Sequence, residues 1–97
     1  MSANDSLDRA LHAIADPTRR RILHELRENA KASRTASCLC AGDIEARVQL
    51  SQATISHHMA ILTKAGLVEA TKQGLWRRYR RNEKAIRQVV KTLRGKL

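Results

Sequence analysis

The sequence predicts a mainly α-helical fold with a small β-hairpin, and three observations predict it. A helix between Ser51 and Gly66 carries capping chemistry at both ends. A shorter helix, about Ala41 to Arg47, stands just before it, and two β-type runs around a Gly-containing turn stand just after it. Nearly all the surplus positive charge lies from that turn onward. Two short helices followed by a basic hairpin and a closing helix form the layout of a winged helix-turn-helix.

Taken in order, Leu7, Ala10, Leu11 and Ile14 recur at helical spacing and make the first helix amphipathic. Asp16-Pro17 then breaks the chain. Asp16 can cap the next helix, and Pro17 can take its first position, where a missing N–H is harmless. Ile22, Leu23 and Leu26 give the second helix its buried stripe, and it is expected to fade near Asn29. Lys31 to Ser37 is loop-like, with Cys38 and Cys40 at its end.

The third helix turns Ile44 and Val48 inward. In the fourth, Ser51 is the N-cap, and Leu50 can staple onto Ile55. Gly66 stands where a left-handed residue is needed, and Leu67 can close back onto Leu62. Leu67–Thr71 and Leu75–Tyr79 are expected strands with Lys72-Gln73-Gly74 as their turn. Trp76 and Tyr79 are expected to pack. Asn82 caps a last helix with an apolar stripe of Ile86, Val89, Val90 and Leu93. The 97 residues suit one domain, 1–97, with the helix-turn-helix at about 41–66 and the wing at about 67–81.

The net charge of +10 is unevenly spread: residues 1–71 carry net +1, and residues 72–97 carry ten basic side chains against Glu83 alone. Such a gradient suits a polyanion. No signal-like or membrane-length apolar run is present, so a cytoplasmic protein without a membrane partner is expected. Two cysteines two residues apart are expected to stay reduced there.

A helix that enters a major groove needs an outer face of small hydrogen-bonding side chains. Ser51, Gln52, Thr54, Ser56 and His57 meet that need in the first two turns of the fourth helix. His58 falls nearer the apolar stripe and reads as structural. In the hairpin, Lys72, Arg77 and Arg78, with Arg80 and Arg81, can reach phosphates or a minor groove.

Ala15–Leu23, Ala41–Ile44, Ser51–Leu62 and Ala65–Val68 together resemble the ArsR/SmtB family of winged-helix repressors, in order and in register over residues 10–82. The resemblance implies a homodimer through the first and last helices. It also implies a palindromic double-stranded DNA operator, and repression relieved by a signal. The apolar stripes of those two helices independently want a partner.

Arsenic- and cadmium-type members carry Cys-x-Cys directly before the aspartate of the third helix. Here Cys38-Leu39-Cys40 is displaced two residues toward the N-terminus, and Ala41-Gly42-Asp43-Ile44 resembles members with no known metal there. Cys40 falls near the N-cap of the third helix, where unpaired N–H groups favour a thiolate, with Arg34 nearby as a helper. Cys38 and Cys40 can grip trivalent arsenic or another soft metal ion as an inducer, or react with an oxidant; no cofactor is required. The alternative is a repressor of this family without any metal site. The family's other inducer site uses Asp and His on the last helix, and residues 82–97 contain neither.

Two other classes compete. Catalysis by Ser56, His57 and His58 fails because successive helical residues diverge and no orienting acid accompanies them. A non-specific architectural nucleic-acid-binding protein has no need of a doubly capped helix with a small polar face.

Overall fold

Asp16 and Pro17 separate the first two helices in the computed structural model, which describes residues 3–32 and 38–97. Helix α1 (Ala3–Ile14) buries Leu7, Ala10 and Ala13. Helix α2 (Pro17–Ala32) opens on the expected cap, with Arg19 N donating to Asp16 Oδ2 at 3.0 Å. That backbone hydrogen bond holds the Asp16 carboxyl below its ordinary value. Helix α2 runs on past the expected end near Asn29, because Ala30, Lys31 and Ala32 are all good helix formers and Lys31 lies 3.9 Å from Glu28 one turn back. The remainder of the expected loop, including Arg34, lies outside the described residues.

Arg19 joins three helices, a role its place in a run of three arginines hides. It is 7% exposed, and its Nε and Nη2 donate to Ala13 O at 2.6 Å and His12 O at 3.1 Å. Arg20 Nη1 donates to Ile14 O at 2.7 Å. The two guanidiniums thus satisfy carbonyls that the end of α1 leaves without helical partners. Arg19 Nη1 also lies 3.2 Å from Nδ1 of His58, which is 9% exposed, as its place by the apolar stripe predicts.

Contact with a guanidinium requires His58 Nδ1 to accept, which a neutral imidazole can do and an imidazolium cannot. Burial is the main cause that lowers the His58 pKa from 6.5; Arg19 and His57 add to it and Asp16 opposes it. A folded-state value below the unfolded one means that this contribution to stability is complete above pH about 6.5 and is lost as the pH falls through the lowered value. Urea midpoints should therefore drop across that window in the wild type, and drop less in His58→Gln, whose amide oxygen can still accept from Arg19. Equal slopes in the two proteins would remove His58 from the account.

The two-residue strand β1 (Leu39–Cys40) leads into α3 (Ala41–Val48). Gln49, in the left-handed conformation at φ 56°, closes α3 by donating its N–H to Glu45 O at 2.8 Å. Helix α4 (Gln52–Lys64) follows. Both of its expected caps form. Thr54 N donates to Ser51 Oγ at 3.3 Å, and beyond Ala65 the Gly66 and Leu67 N–H groups donate to Thr63 O at 3.0 Å and Leu62 O at 3.1 Å. Gly66 takes φ 79°, so the helix ends in a Schellman motif.

Strands β2 (Val68–Gln73) and β3 (Trp76–Arg81) form the hairpin, and β1 pairs with the other edge of β3, Leu39 opposite Tyr79 and Cys40 opposite Arg78. The expected two-stranded wing is therefore a three-stranded antiparallel sheet in the order β1-β3-β2. The expected turn also shifts. Gln73 pairs with Trp76, which leaves Gly74-Leu75 as a two-residue loop with positive φ at Gly74 alone, the pattern of a type II′ turn.

Ile22, Leu26, Ile44, Ile55, Met59, Leu62, Leu67 and Val68 are the large side chains buried at the centre, where α2, α3, α4 and the root of the hairpin meet. Asn82 Oδ1 accepts from Ala85 N at 3.1 Å and starts α5 (Glu83–Lys96) as expected. Ile86 and Val89 of α5 pack on the core, yet none of its residues is buried and Val90 is 60% exposed. Among the described residues no helix is long and apolar enough to cross a membrane.

Candidate nucleic-acid interface

Helix α4 divides cleanly into two faces. Ile55, His58, Met59 and Leu62 are buried, while Gln52, Ala53, Ser56, His57 and Ala60 are exposed. The division follows from helical periodicity acting on a helix whose inner face is clamped by core and by Arg19. Five predicted contact residues separate into two kinds. Gln52, Ser56 and His57 stand on the exposed face, with no side-chain hydrogen bond among the described residues. Ser51 and Thr54 are engaged with one another at 2.9 Å between their hydroxyl oxygens, and Thr54 is half-buried. Their hydroxyls shape the start of the helix.

Lys72, Arg77 and Arg78 are all exposed, and Lys72 faces Arg77 across the β2–β3 register. Arg78 Nε donates to Gln73 Oε1 at 3.0 Å. Arg80 and Arg81 differ. Arg80 pairs with Glu69 at 3.0 Å, and Arg81, whose side chain is 15% exposed, lies 2.6 Å from Glu83. Each of those two arginines thus has an acidic neighbour within ion-pair distance. Among the described residues, Lys72, Arg77 and Arg78 form no ion pair.

The recognition-type helix and the wing enclose a groove of about 730 Å³. Gln52, Ser56 and Lys64 stand along one wall and Trp76 and Arg77 along the other, with Met59 at its base. The groove thus joins predicted residues of both elements. Trp76 corrects its expectation: only the hairpin root reaches the core, so Tyr79 is 7% exposed while Trp76 is 66% and Leu75 99%.

Cys40 is the N-cap of α3, as its position predicts. Its Sγ–H donates to Asp43 Oδ2 at 3.0 Å, and its backbone N–H donates to the same oxygen at 3.1 Å. The side chain thus engages the carboxylate at the third position of its own helix. The thiol contact is the main cause holding the Asp43 carboxyl below its ordinary value. Both cysteines are free thiols and half-buried. Among the described residues, no group of three or more His, Cys, Asp or Glu side chains is placed to hold a metal ion.

Comparison with known proteins agrees with this geometry. The helix-turn-helix domain family matches residues 14–71. An uncharacterized HTH-type transcriptional regulator of Methanocaldococcus jannaschii is 39% identical over 79 residues, 81% of each chain. A putative arsenical resistance operon repressor of Halobacterium salinarum is 32% identical over 88% of this chain and 68% of its own. Among solved structures, an ArsR-like transcriptional regulator from Rhodococcus superposes with a TM-score of 0.79 at 28% identity, over 98% of this chain and 82% of that one. The protein is a member of the ArsR family of winged helix-turn-helix transcriptional repressors, a DNA-binding regulator and not an enzyme.

Proposed function

We propose that the protein is a cytoplasmic homodimeric repressor that reads a palindromic operator with α4 and grips the flanking phosphates with the wing. The observation that carries this reading is the exposed face of Gln52, Ser56 and His57 on a helix capped at both ends, beside a wing whose Lys72, Arg77 and Arg78 form no ion pair among the described residues. Small hydrogen-bonding side chains suit base edges, and unpaired cations suit phosphates. Ser51 and Thr54 add backbone contacts at the helix start. A second copy covers α5, whose Val90 is exposed, together with the outer side of α1.

Regulation centres on Cys38 and Cys40 and a thiol-reactive signal, either trivalent arsenic or another soft ion, or an oxidant. The arsenical resistance relative supports the first chemistry. Two thiols are a partial donor set for such an ion, and this chain has no third cysteine. What favours a signal here is linkage. Cys40 caps α3 and pairs with Arg78 of the wing, so capture of its thiol removes the Asp43 contact and disturbs both elements. Release requires the signal to bind the DNA-free form more tightly, with a coupling of about 1–3 kcal/mol in typical cases.

The test is footprinting on DNA upstream of the protein's own gene, with and without arsenite or peroxide. A protected palindrome that opens with either agent is expected, and a Cys38→Ser, Cys40→Ser double variant should protect it without responding. A wild type indifferent to both agents would leave a repressor without a metal or thiol site. Sedimentation should show a dimer at micromolar concentration; a monomer bound one chain per site would overturn the assembly.

A further inference from the structure

Among the described residues Leu75, Trp76 and Leu97 are the most exposed large apolar side chains, and the first two are adjacent at the apex of the wing. Burial normally removes such side chains from water, and neither contributes to the core here. The hairpin carries them outward: past Tyr79 and Ala70, the pairs Thr71–Arg78, Lys72–Arg77 and Gln73–Trp76 are all exposed. The apolar tip is therefore ringed by Lys72, Arg77 and Arg78, none of which forms an ion pair among the described residues. A cationic collar around an apolar point repels a like surface and attracts a polyanion that has an apolar interior.

We infer that the tip of the wing is an apolar wedge, with Leu75 and Trp76 entering the minor groove and pressing on a base step while Lys72, Arg77 and Arg78 hold the bordering phosphates. The inference rests on the proposed function and deepens it. The groove between α4 and the wing supplies the geometry. A winged helix that reads the major groove with α4 has the wing across one sugar-phosphate strand, and that strand is the occupant the 730 Å³ groove suits. The tip then lies on the minor-groove side. Apolar wedges of this kind part stacked bases and bend the duplex toward the major groove, which favours flexible pyrimidine–purine steps. The wing therefore contributes sequence preference without hydrogen-bonding to any base.

Trp76 is the only tryptophan of the chain, so its emission reports on the tip directly. The experiment titrates the full-length protein with a random-sequence duplex of about 30 base pairs and with one from its upstream region. Expected are quenched Trp76 emission, loss of acrylamide access on both duplexes, and reversal by a minor-groove-binding dye. Leu75→Ser should keep its circular dichroism, since Leu75 supports nothing in the fold, and should reduce the bend seen by end-to-end energy transfer. Trp76→Ser should weaken binding about tenfold, the scale of one lost stacking contact. Bound DNA with Trp76 emission and acrylamide access unchanged would overturn the wedge alone. Emission that changes with protein concentration in the absence of DNA would overturn it in favour of a second copy. Failure of the wild type to bind either duplex would overturn the wedge and the proposed function together.

Discussion

Arg19→Ala is expected to destabilise the protein by about 3 kcal/mol, the scale of removing a buried charged group from its partners. The substitution leaves Ala13 O without its side-chain donor and His12 O with only the 3.4 Å bond from Ala15 N, strips Nδ1 of His58 of its partner, and opens a void at the junction of α1, α2 and α4. Urea unfolding gives the number, through a lowered midpoint with an unchanged slope. Arg20→Ala is the internal comparison. Its hydrogen bond to Ile14 O is exposed, so its loss should be under about 1 kcal/mol. Comparable losses for the two would show that Arg19 is one solvated capping residue among others. DNA affinity should fall with Arg19→Ala even where the protein remains folded, because Arg19 braces the inner side of the reading helix.

The second large effect divides labour between α4 and the wing. Gln52→Ala or Ser56→Ala should each weaken operator binding by about 1–3 kcal/mol, leave random DNA nearly unaffected, and blur the preferred sequence. Arg77→Ala should weaken both kinds of DNA alike and flatten the dependence of log affinity on log salt by about one unit per lost phosphate contact. Arg80→Ala is the control, since Glu69 already holds that guanidinium at 3.0 Å. It should change the salt slope little. Competition binding at several salt concentrations measures all four variants, and a base preference altered by Arg77→Ala but not by Gln52→Ala or Ser56→Ala would reverse the assignment.

What the sequence disclosed and what it hid differ by range. The ends of α4 were legible because caps are local chemistry: Ser51, Gly66 and Leu67 act within a few residues of their partners. The start of α2 at Asp16-Pro17 and of α5 at Asn82 followed for the same reason. The strand at Leu39–Cys40 was not legible, because two residues carry no periodicity and their pairing depends on Tyr79, far along the chain. Arg19 was hidden similarly, with its partner His58 on another helix. Gly74 was visible as a turn residue, but whether it ends a turn or opens one is settled by strand register, and the register displaced the turn to Gly74-Leu75. An aromatic on a strand usually packs, and only the length of the hairpin beyond the core reveals that Trp76 does not.

The site followed the same rule. Residues on the exposed face of α4 could be named from helical spacing, whereas Ser51 and Thr54 turned out to bond one another. Charge alone did not separate the wing arginines. Cross-strand pairing of Arg80 with Glu69 did, and that required the register. Cys40 stands at the helix start that its position predicts, and its contact with Asp43, at the third position of the same helix, emerges only from the side-chain geometry.

Selection from a pool of random duplexes, compared between the wild type and Gln52→Ala, shows whether α4 reads a defined operator. The wild type is expected to enrich one palindromic sequence whose half-site centres lie about one helical turn apart, roughly 34 Å, and Gln52→Ala to relax specific positions within each half while keeping that spacing. Recovery of no preferred sequence by the wild type, or of the same sequence at full stringency by Gln52→Ala, would contradict that role of α4.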